Sequence, residues 1–383
     1  MHQRLLIYGA TGFTGRLVAR RARTLGIDAV LAGRDAHRLR PLAESLGMPW
    51  RVAALTQPSS IDTALSDVGV VLHVAGPYAA TARPMVDACL RTKTHYLDLS
   101  GELPVYLDVH RSDAEARSRE IMLMPGVGFV VAASDCLAAH VANRMPEAKY
   151  LRIAVSRTDL YSRGTLRAML GLVREGVSVC RNGRLSSVRV GRLERNFDFG
   201  NGDSLSTALS WPDVFTAYQT TGIPNIEVYA EANALARVLY QAGAWFALPM
   251  RLPLTGRVLQ WQTKLWPAAP SDAERAAASR VIVAEAEDPW RQCAQSRLRT
   301  PDGYSVTPGI ALTITTRLLS GEFRAGFQTP ASVYGPDLVL GLDGILRDDV
   351  DPGPRRRMHQ RLEQTGGDGE VDDERWSGCG PKP

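Results

Sequence analysis

Cysteine is scarce in this sequence of 383 residues, and the few cysteines present are widely separated. No two of them form a Cys-x-x-Cys pair: they are Cys89, Cys136, Cys180, Cys293 and Cys379. This spacing excludes a disulfide scaffold and a metal site of the zinc type, and it is typical of a reducing compartment. The N-terminus shows no signal-peptide pattern, so we expect a cytoplasmic protein.

Long apolar runs are also missing. No segment reaches the roughly 18 to 20 apolar residues that a membrane-spanning helix needs, so no transmembrane segment is predicted. The nearest approach is 238–250, an uncharged part of the apolar, aromatic stretch 234–266. Three interpretations of that stretch stay open: a buried helix, a groove for an acyl chain and a peripheral contact with a membrane surface.

The sequence has no run in which lysine or arginine is interleaved with aromatic residues, although its net charge is +5. This absence argues against a nucleic-acid partner, and the charge is interpreted as a source of solubility or as attraction for an anionic ligand. A hydrophobic fraction of 45% and a charged fraction of 22% are those of an ordinary globular protein. At this length we expect a two-domain enzyme, and a homodimer stays open.

Hydrophobic patterning divides the chain into three parts. Residues 1–140 alternate apolar strands with helical segments, which predicts a Rossmann-type, doubly wound parallel sheet of the α/β class that binds NADP. Residues 141–347 predict an α+β domain for substrate binding or dimerisation, and 348–383 are polar enough to predict a disordered tail. The segments predicted in the second domain are strands at 278–286 and 292–298, and helices at 163–175, 205–218, 230–245 and 307–319.

A glycine-rich turn follows the first strand and opens the first helix. Its residues are Gly9, Ala10, Thr11, Gly12, Phe13, Thr14 and Gly15. Glycines let the backbone turn sharply and approach a pyrophosphate, while the free N–H groups of the helix N-terminus face its negative charge. The two threonines can add hydroxyl donors. Because strand and helix lie where such a turn requires them, we predict a dinucleotide-binding site.

The end of the second strand distinguishes the two nicotinamide cofactors. NAD sites usually place an acidic residue there to bind the ribose hydroxyls, whereas this sequence has Gly33 followed by Arg34. A guanidinium can hold a 2′-phosphate through charge-assisted hydrogen bonds, which favours NADPH. In the alternative interpretation Arg34 is a solvated loop residue and Asp35 binds the ribose.

Two further strand ends are expected at the same crevice. The fourth strand ends in small residues against which a nicotinamide ribose can lie, although a simple turn would also explain them: Ala75, Gly76 and Pro77. Tyr78 follows, and the next strand end brings Asp98, Ser100 and Glu102. We take Tyr78 and Glu102 as candidates for catalysis, while Asp98 equally fits a helix cap or a partner for a buried backbone group.

Together these motifs resemble the saccharopine dehydrogenase-like family, and within it the group of trans-acting enoyl reductases. The resemblance rests on residues 9–15, 33–34, 75–78 and 95–102, and in the second half on 162–165, 221–225, 302–304 and 328–331. It implies an NADP-linked oxidoreductase. Saccharopine dehydrogenases act on an amino-acid imine and the enoyl reductases on acyl chains held by a carrier, so the resemblance leaves both a small-molecule and a carrier-bound substrate open.

One motif departs from the family pattern. Where many relatives have Gly-Phe-Asp followed by Pro-Ser-Asp, this sequence has Gly128-Phe129-Val130 and Ala133-Ser134-Asp135. If the first aspartate of those relatives serves their chemistry, it does not do so here. Fold therefore transfers more safely than mechanism.

Three functions stay open from the sequence. The first is hydride transfer from NADPH to a C=C bond of an acyl chain, in which the protein supplies orientation and a proton donor. The second is imine reduction, with a carboxylate held by arginines of the second domain: Arg152, Arg157, Arg163 and Arg167. The third is a non-catalytic sensor of NADPH, because no acid–base pair is obvious. A short-chain dehydrogenase is excluded, since no tyrosine is followed four positions later by a lysine.

Overall fold

The computed structural model describes residues 4–157, 176–189, 191–232 and 271–350. The predictions of a helix at 163–175, of an acyl groove or membrane contact at 234–266 and of nearly all of the tail at 348–383 lie outside the described residues.

Seven strands of the described chain form a parallel sheet in the first part of the protein. They are β1 (Leu5–Tyr8), β2 (Ala29–Gly33), β3 (Trp50–Val52), β4 (Val70–His73), β5 (His95–Asp98), β6 (Met122–Met124) and, much later in the chain, β15 (Gly326–Phe327). Their order across the sheet is β15-β6-β5-β4-β1-β2-β3, with every pair parallel. The winding direction reverses between β1 and β4, and ligands of such sheets bind at this reversal, beyond the carboxyl ends of the strands.

Helices connect these strands and cover the sheet. They are α1 (Phe13–Thr24), α2 (Ala36–Leu46), α3 (Pro58–Leu65), α4 (Tyr78–Thr92), α5 (Leu103–His110) and α6 (Asp113–Ser118). Every residue of β1, β2, β4 and β5 is buried. Because successive side chains of a strand point to opposite faces, both faces must be covered. The predicted doubly wound α/β sheet is confirmed.

A second sheet is mixed. Its strands are β7 (Tyr150–Val155), β8 (Val177–Arg181), β9 (Arg184–Val188), β10 (Glu194–Asp198), β11 (Asp203–Ala208), β12 (Asn225–Glu231), β13 (Ser279–Glu287), β14 (Cys293–Pro301) and β16 (Leu346–Val350). The main order is β10-β11-β12-β7-β13-β14-β16, and β8 pairs with both β12 and β9. The strands predicted at 278–286 and 292–298 are β13 and β14, which form an antiparallel hairpin.

The remaining helices of the described chain are α7 (Ser134–Arg144), α8 (Asp213–Thr221), α9 (Asp272–Ala277), α10 (Gly303–Leu319) and α11 (Pro330–Tyr334). A π-helical turn, Phe129–Ala133, leads into α7, and a 3-10 turn, Leu338–Gly341, precedes β16. The predicted helix at 307–319 is α10. It begins at Gly303 because the carboxylate of Asp302 accepts hydrogen bonds from the backbone N–H groups of Tyr304 and Ser305 at 2.8 and 3.2 Å.

Two predicted helices begin as strands. The helix predicted at 205–218 is wrong in its first half, because 203–208 form β11, which pairs with β10 on one side and β12 on the other. The helix begins only at Asp213, directly after Pro212. The prediction of a helix from 230 is likewise wrong at its start, since Ala230 and Glu231 end β12. In both cases cross-strand pairing overrides the local helical pattern.

The C-terminal part of the described chain joins both sheets. Helix α10 packs along α1, where the ring of Tyr304 lies edge-on to that of Phe13 at 5.3 Å between centroids. Strand β15 then extends the first sheet and β16 extends the second. None of the described helices has the length and apolar character to cross a membrane.

Candidate nucleotide-binding and active site

The glycine turn is packed against the ends of two strands. Gly9 has φ +89°, and a Cβ built on it would lie 2.8 Å from the Cβ of Ala75 at the end of β4. Its N–H donates to the carbonyl oxygen of Ala32 in β2 at 2.8 Å. A Cβ on Gly15 would lie 2.3 Å from the carbonyl oxygen of Gly9. Glycine is therefore required at both positions for the turn to close.

The N-terminus of α1 opens directly from this turn. No side chain caps it, and its first turn contains no acidic residue. The first N–H groups of a helix have no partner within the helix, so those of α1 are available to an anion. Within the described residues, the hydroxyls of Thr11 and Thr14 make no hydrogen bond either. The cradle fits a pyrophosphate.

Arg34 follows β2 at the same edge of the sheet. It is exposed, and its guanidinium forms no ion pair with any carboxylate of the described chain. Burial raises the pKa of Tyr8, and the nearby charge of Arg34 opposes this rise. Asp35, the alternative ribose ligand, accepts a hydrogen bond from the backbone N–H of Arg38 at 3.3 Å and so caps α2. At the end of β2, Arg34 is thus a cation without a carboxylate partner among the described residues, while Asp35 already caps α2.

Glu102 ties together the ends of β4 and β5. Its two carboxylate oxygens accept hydrogen bonds from the backbone N–H groups of Tyr78 and Ala79, each at 3.0 Å. These are the first N–H groups of α4, so Glu102 caps this helix from a different loop. Gly76 and Pro77, which precede the helix, are exposed at the edge and joined by a cis peptide bond. The predicted residues of these two strand ends are therefore neighbours.

The Tyr78 side chain lies against β4. Its ring is edge-on to that of His73, with centroids 5.5 Å apart. The hydroxyl lies 3.4 Å from the carbonyl oxygen of His73, a long hydrogen bond. Burial raises the pKa of Tyr78 well above its ordinary value, and the charge of Asp98 acts in the same direction. The hydroxyl therefore keeps its proton.

Asp98 is a buried junction at the end of β5. It accepts hydrogen bonds from the hydroxyl of Tyr96 at 2.7 Å and from the backbone N–H groups of Ser100 at 2.9 Å and Gly126 at 2.8 Å. Burial raises its pKa from 3.8 to about 6, although these hydrogen bonds oppose the rise. Of the two structural roles considered for Asp98, the second is the one observed: its carboxylate is the hydrogen-bond partner of buried backbone N–H groups. The bond from Gly126 holds the loop after β6 beside β5.

The loop after β6 brings distant residues to the crevice. The backbone N–H of Phe129 donates to the hydroxyl of Thr307 in α10 at 3.1 Å. The indole N–H of Trp211 donates to the carbonyl oxygen of Val130 at 2.9 Å. The side chain of Val130 itself lies over Gly101, with Cγ1 3.1 Å from the position of an added Cβ. This wall, next to Glu102, is apolar.

Trp211 and Thr307 were not predicted as residues of the site. The sequence signals that could have indicated a close packing contact at the loop after β6 are its glycines, Gly126 and Gly128. A Cβ on Gly128 would lie 3.1 to 3.2 Å from Thr307 and Leu99. Asp135 lies in the motif Ala133-Ser134-Asp135, which differs from the pattern of many relatives, and it is buried. It accepts hydrogen bonds from the Thr220 hydroxyl at 2.5 Å and the backbone N–H of Ala331 at 2.8 Å, so it links the two parts of the chain.

The structure describes two of the four arginines considered for a carboxylate substrate. Arg152 is half-buried, and its guanidinium lies between Glu287 at 2.9 Å and Glu227 at 3.7 Å. Arg157 follows the end of β7, and its backbone N–H donates to Glu231 at 2.9 Å. Arg163 and Arg167 lie outside the described residues. In the described part of the chain, no three His, Cys, Asp or Glu side chains are grouped to hold a metal ion.

Comparisons with known sequences find relatives of the part of the chain that forms the first sheet. Residues 5–124 match the saccharopine dehydrogenase NADP binding domain family. A trans-acting enoyl reductase of Mycobacterium leprae is 38% identical over 136 residues, 33% of this chain and 32% of that protein. One of Mycobacterium ulcerans is 33% identical over 153 residues, 37% of this chain and 36% of that protein. The aligned part thus spans about a third of the length of these curated relatives.

Comparisons with solved structures extend over both sheets. Saccharopine dehydrogenase (L-Glu forming) from Saccharomyces cerevisiae has a TM-score of 0.60 at 14% identity, covering 91% of this chain and 100% of that chain. Homospermidine synthase from Legionella pneumophila, solved with NAD, has a TM-score of 0.58 at 11% identity, covering 97% and 95%. At such identities the similarity shows a common fold alone.

Proposed function

We propose that this chain, whose residues 5–124 match the saccharopine dehydrogenase NADP binding domain family, is an NADP-dependent oxidoreductase that reduces a C=C bond of an acyl thioester. The relatives named trans-acting enoyl reductase, 38% and 33% identical over the aligned part, support this activity. The word trans-acting in their name suggests a substrate presented by a separate carrier protein. The observations that carry the proposal are the uncapped N-terminus of α1 at the glycine turn and the apolar side chain of Val130 over Gly101, after the end of β5.

The cofactor half of the site favours NADPH over NADH. We assign the pyrophosphate to the N–H groups of α1 and the 2′-phosphate to Arg34, which has no carboxylate partner in the described chain. Gly33, Ala75, Gly76 and Pro77 line the same edge and are assigned to the ribose and nicotinamide. When bound, NADPH supplies the hydride.

The substrate half of the site suits a neutral conjugated group. Val130 faces Gly101 where many relatives have an aspartate, so the wall offers no carboxylate to an iminium. An amino-acid imine also needs a cation for its carboxylate, and Arg152 is held by two glutamates. These observations favour an enoyl thioester over an imine.

We assign the proton that follows hydride addition to the hydroxyl of Tyr78. Its hydrogen bond to the His73 carbonyl is long, at 3.4 Å, so little is lost when the hydroxyl turns to a substrate. Because its pKa is raised, the hydroxyl is protonated and can donate. Glu102 is a positioning residue in this scheme, because both of its oxygens bind the backbone at the start of α4. Reduction then adds one hydride and one proton across the double bond. It leaves NADP⁺ and the phenolate of Tyr78, which takes up a proton from solvent before the next turnover.

The test is turnover by the purified full-length chain. We expect NADPH to be oxidised in the presence of the crotonyl thioester of N-acetylcysteamine, with formation of the butyryl thioester detected by mass spectrometry. A panel of cyclic and amino-acid imines is the comparison. Oxidation with imines alone would favour the saccharopine dehydrogenase type of reaction. Tight NADPH binding without NADPH oxidation in the presence of either the thioester or the imines would favour a non-catalytic sensor of NADPH.

A further inference from the structure

Helix α1 carries three neighbouring arginines without ion pairs. Arg20, Arg21 and Arg23 are exposed, and their guanidinium groups bind no carboxylate among the described residues. Arginines of other helices are often paired with an acid one turn away, as Arg40 is with Glu44 and Arg117 with Asp113. We call Arg20, Arg21 and Arg23 the α1 arginine surface.

Helix electrostatics explain this surface only in part. Basic residues in the last turn of a helix interact favourably with its dipole, and Arg21 and Arg23 lie in the last turn of α1. The interaction with the helix dipole explains cations in the last turn, but it does not require three arginines within four residues. Arg20 and Arg23, three residues apart, carry like charges that repel each other, and no acid within α1 relieves the repulsion.

Two of the three arginines, Arg20 and Arg21, line a groove. Arg23 lies on another side of α1, with its guanidinium 4.0 Å from a Cβ built on Gly47. The groove has a volume of about 470 Å³ and lies between α1 and α10; its lining includes Leu17, Arg20, Arg21, Tyr304, Pro308 and Leu342. Tyr304 contacts Phe13, the residue of the glycine turn at which α1 begins. Among the described residues that line the groove, the one carboxylate is Asp343, which forms no ion pair with a described arginine.

We infer that the α1 arginine surface docks an acidic carrier protein that presents the acyl thioester. The inference rests on the proposed function, since a carrier-bound substrate requires a protein partner. Charge complementarity selects the partner: three unpaired cations on one helix attract a surface rich in Asp and Glu and accelerate its encounter. The Tyr304 end of the groove adjoins the glycine turn at Phe13, so a carrier docked here holds its acyl group on the side of the sheet where the nucleotide binds.

The experiment measures binding and turnover separately. The binding probe is a fluorescently labelled, crotonylated acidic acyl carrier protein, titrated with the full-length chain. We expect saturable binding that weakens with added salt, because exposed charges are screened. The triple variant Arg20→Glu, Arg21→Glu, Arg23→Glu should weaken it at least about tenfold and lower kcat/KM for the carrier-bound crotonyl group equally. With the neutral crotonyl thioester of N-acetylcysteamine, kcat/KM should stay unchanged.

A matched control changes the same charge elsewhere. Arg184, Arg189 and Arg192 are exposed on the second sheet and its adjoining loop, and the variant with all three changed to Glu should bind the carrier like the wild type. Equal binding by the α1 variant and the wild type would overturn the inference, as would no binding by the wild type. Carrier binding without NADPH oxidation on either thioester would reject the proposed reaction and keep the docking surface.

A competing occupant is the chain's own acidic segment at 368–374, which contains Asp368, Glu370, Asp372, Asp373 and Glu374. A full-length variant with these five acids changed to amides tests it. Carrier binding that is seen only in this variant would assign the α1 arginine surface to the segment and overturn the carrier inference. Equal carrier affinity with and without the five acids would support it.

Discussion

The carboxylate of Glu102 lies 3.0 Å from the backbone nitrogen of Tyr78 and accepts its hydrogen bond. The second carboxylate oxygen does the same for Ala79. One acid thereby satisfies two N–H groups that a helix start leaves unpaired and joins the loops after β4 and β5. Tyr78 and Glu102 were both candidates for catalysis. Because of this hydrogen bond we propose that Glu102 positions Tyr78 and that Tyr78 donates the proton.

Replacing Glu102 should therefore affect stability and rate together. In Glu102→Ala the two N–H groups at the start of α4 lose their acceptors, and we expect the free energy of unfolding to fall by about 1 to 2 kcal/mol. The rate of NADPH oxidation should fall as well, because Tyr78 is no longer positioned. Glu102→Gln retains one acceptor oxygen and should recover part of both. Urea unfolding and steady-state rates check this, and an alanine variant with wild-type values in both would refute the positioning role.

Tyr78→Phe isolates the hydroxyl. The ring contact with His73 is preserved, so stability and NADPH affinity should change little. If the hydroxyl donates the proton, kcat should fall by about 10² to 10⁴, the usual contribution of a general acid. Tyr150→Phe, at an exposed tyrosine of the second sheet, is the matched control. A wild-type kcat in Tyr78→Phe would remove this residue from the mechanism.

Gly12→Val tests the pyrophosphate cradle. Gly12 is exposed, and the nearest atom to an added Cβ is the carbonyl oxygen of Gly9 at 3.3 Å. The valine side chain should fit with a small adjustment of the turn but occupy the space at the N-terminus of α1. We expect a folded protein whose Kd for NADPH is raised about a hundredfold, which corresponds to about 2.7 kcal/mol. Gly341→Val, where an added Cβ meets nothing within 4 Å, should bind normally. Unchanged affinity in folded Gly12→Val would contradict the assignment.

Arg34→Ala tests the preference for NADPH. Hydrogen bonds to a charged group contribute about 1.5 to 3 kcal/mol, so NADPH affinity should fall about 10- to 100-fold. NADH, which lacks the 2′-phosphate, should bind almost as before. Arg40→Ala removes a nearby arginine that is paired with Glu44 and serves as the control. Titration by nucleotide fluorescence decides the matter: equal losses for both nucleotides would show that Arg34 is not a phosphate ligand.

Six of the seven described strands of the first sheet could be predicted from local sequence because they are short apolar runs. The run Val70–His73 is buried throughout, as a strand covered on both faces should be. The seventh, Gly326–Phe327, comes from far along the chain and was not predicted. The glycine turn and Arg34 could be predicted for the same reason, since each directly follows such a strand. Their places in the fold are determined by residues adjacent to them in the sequence.

The walls of the crevice depend on residues far apart in the sequence. Val130 meets Trp211 across 81 residues, and Phe129 meets Thr307 across 178 residues. No periodicity within a window records such pairs. The same limit explains β11, whose residues look helical alone but are held by β10 and β12. The bonds from Glu102 to α4 join two loops, so Glu102 looked like a free acid in the sequence.

The buried Asp98 carboxylate predicts a pH dependence of stability. Burial raises its pKa from 3.8 in an exposed chain to about 6 in the fold. Between these values the folded state binds more protons than the unfolded state, so the contribution of Asp98 to the free energy of unfolding falls as pH rises. Above about pH 6 both states are ionised and this contribution is constant.

Other buried groups titrate in the same range, so the comparison must be made with a variant. Burial raises the pKa of Asp135 to about 6 as well, whereas burial lowers the pKa of His95 to about 4 and stabilises the fold as pH rises. These contributions cancel when wild type and Asp98→Asn are compared. The difference in the free energy of unfolding, variant minus wild type, should increase by about 2 to 3 kcal/mol from pH 4 to pH 6.5. Urea unfolding across this range measures it. A flat difference for Asp98→Asn would contradict the raised pKa.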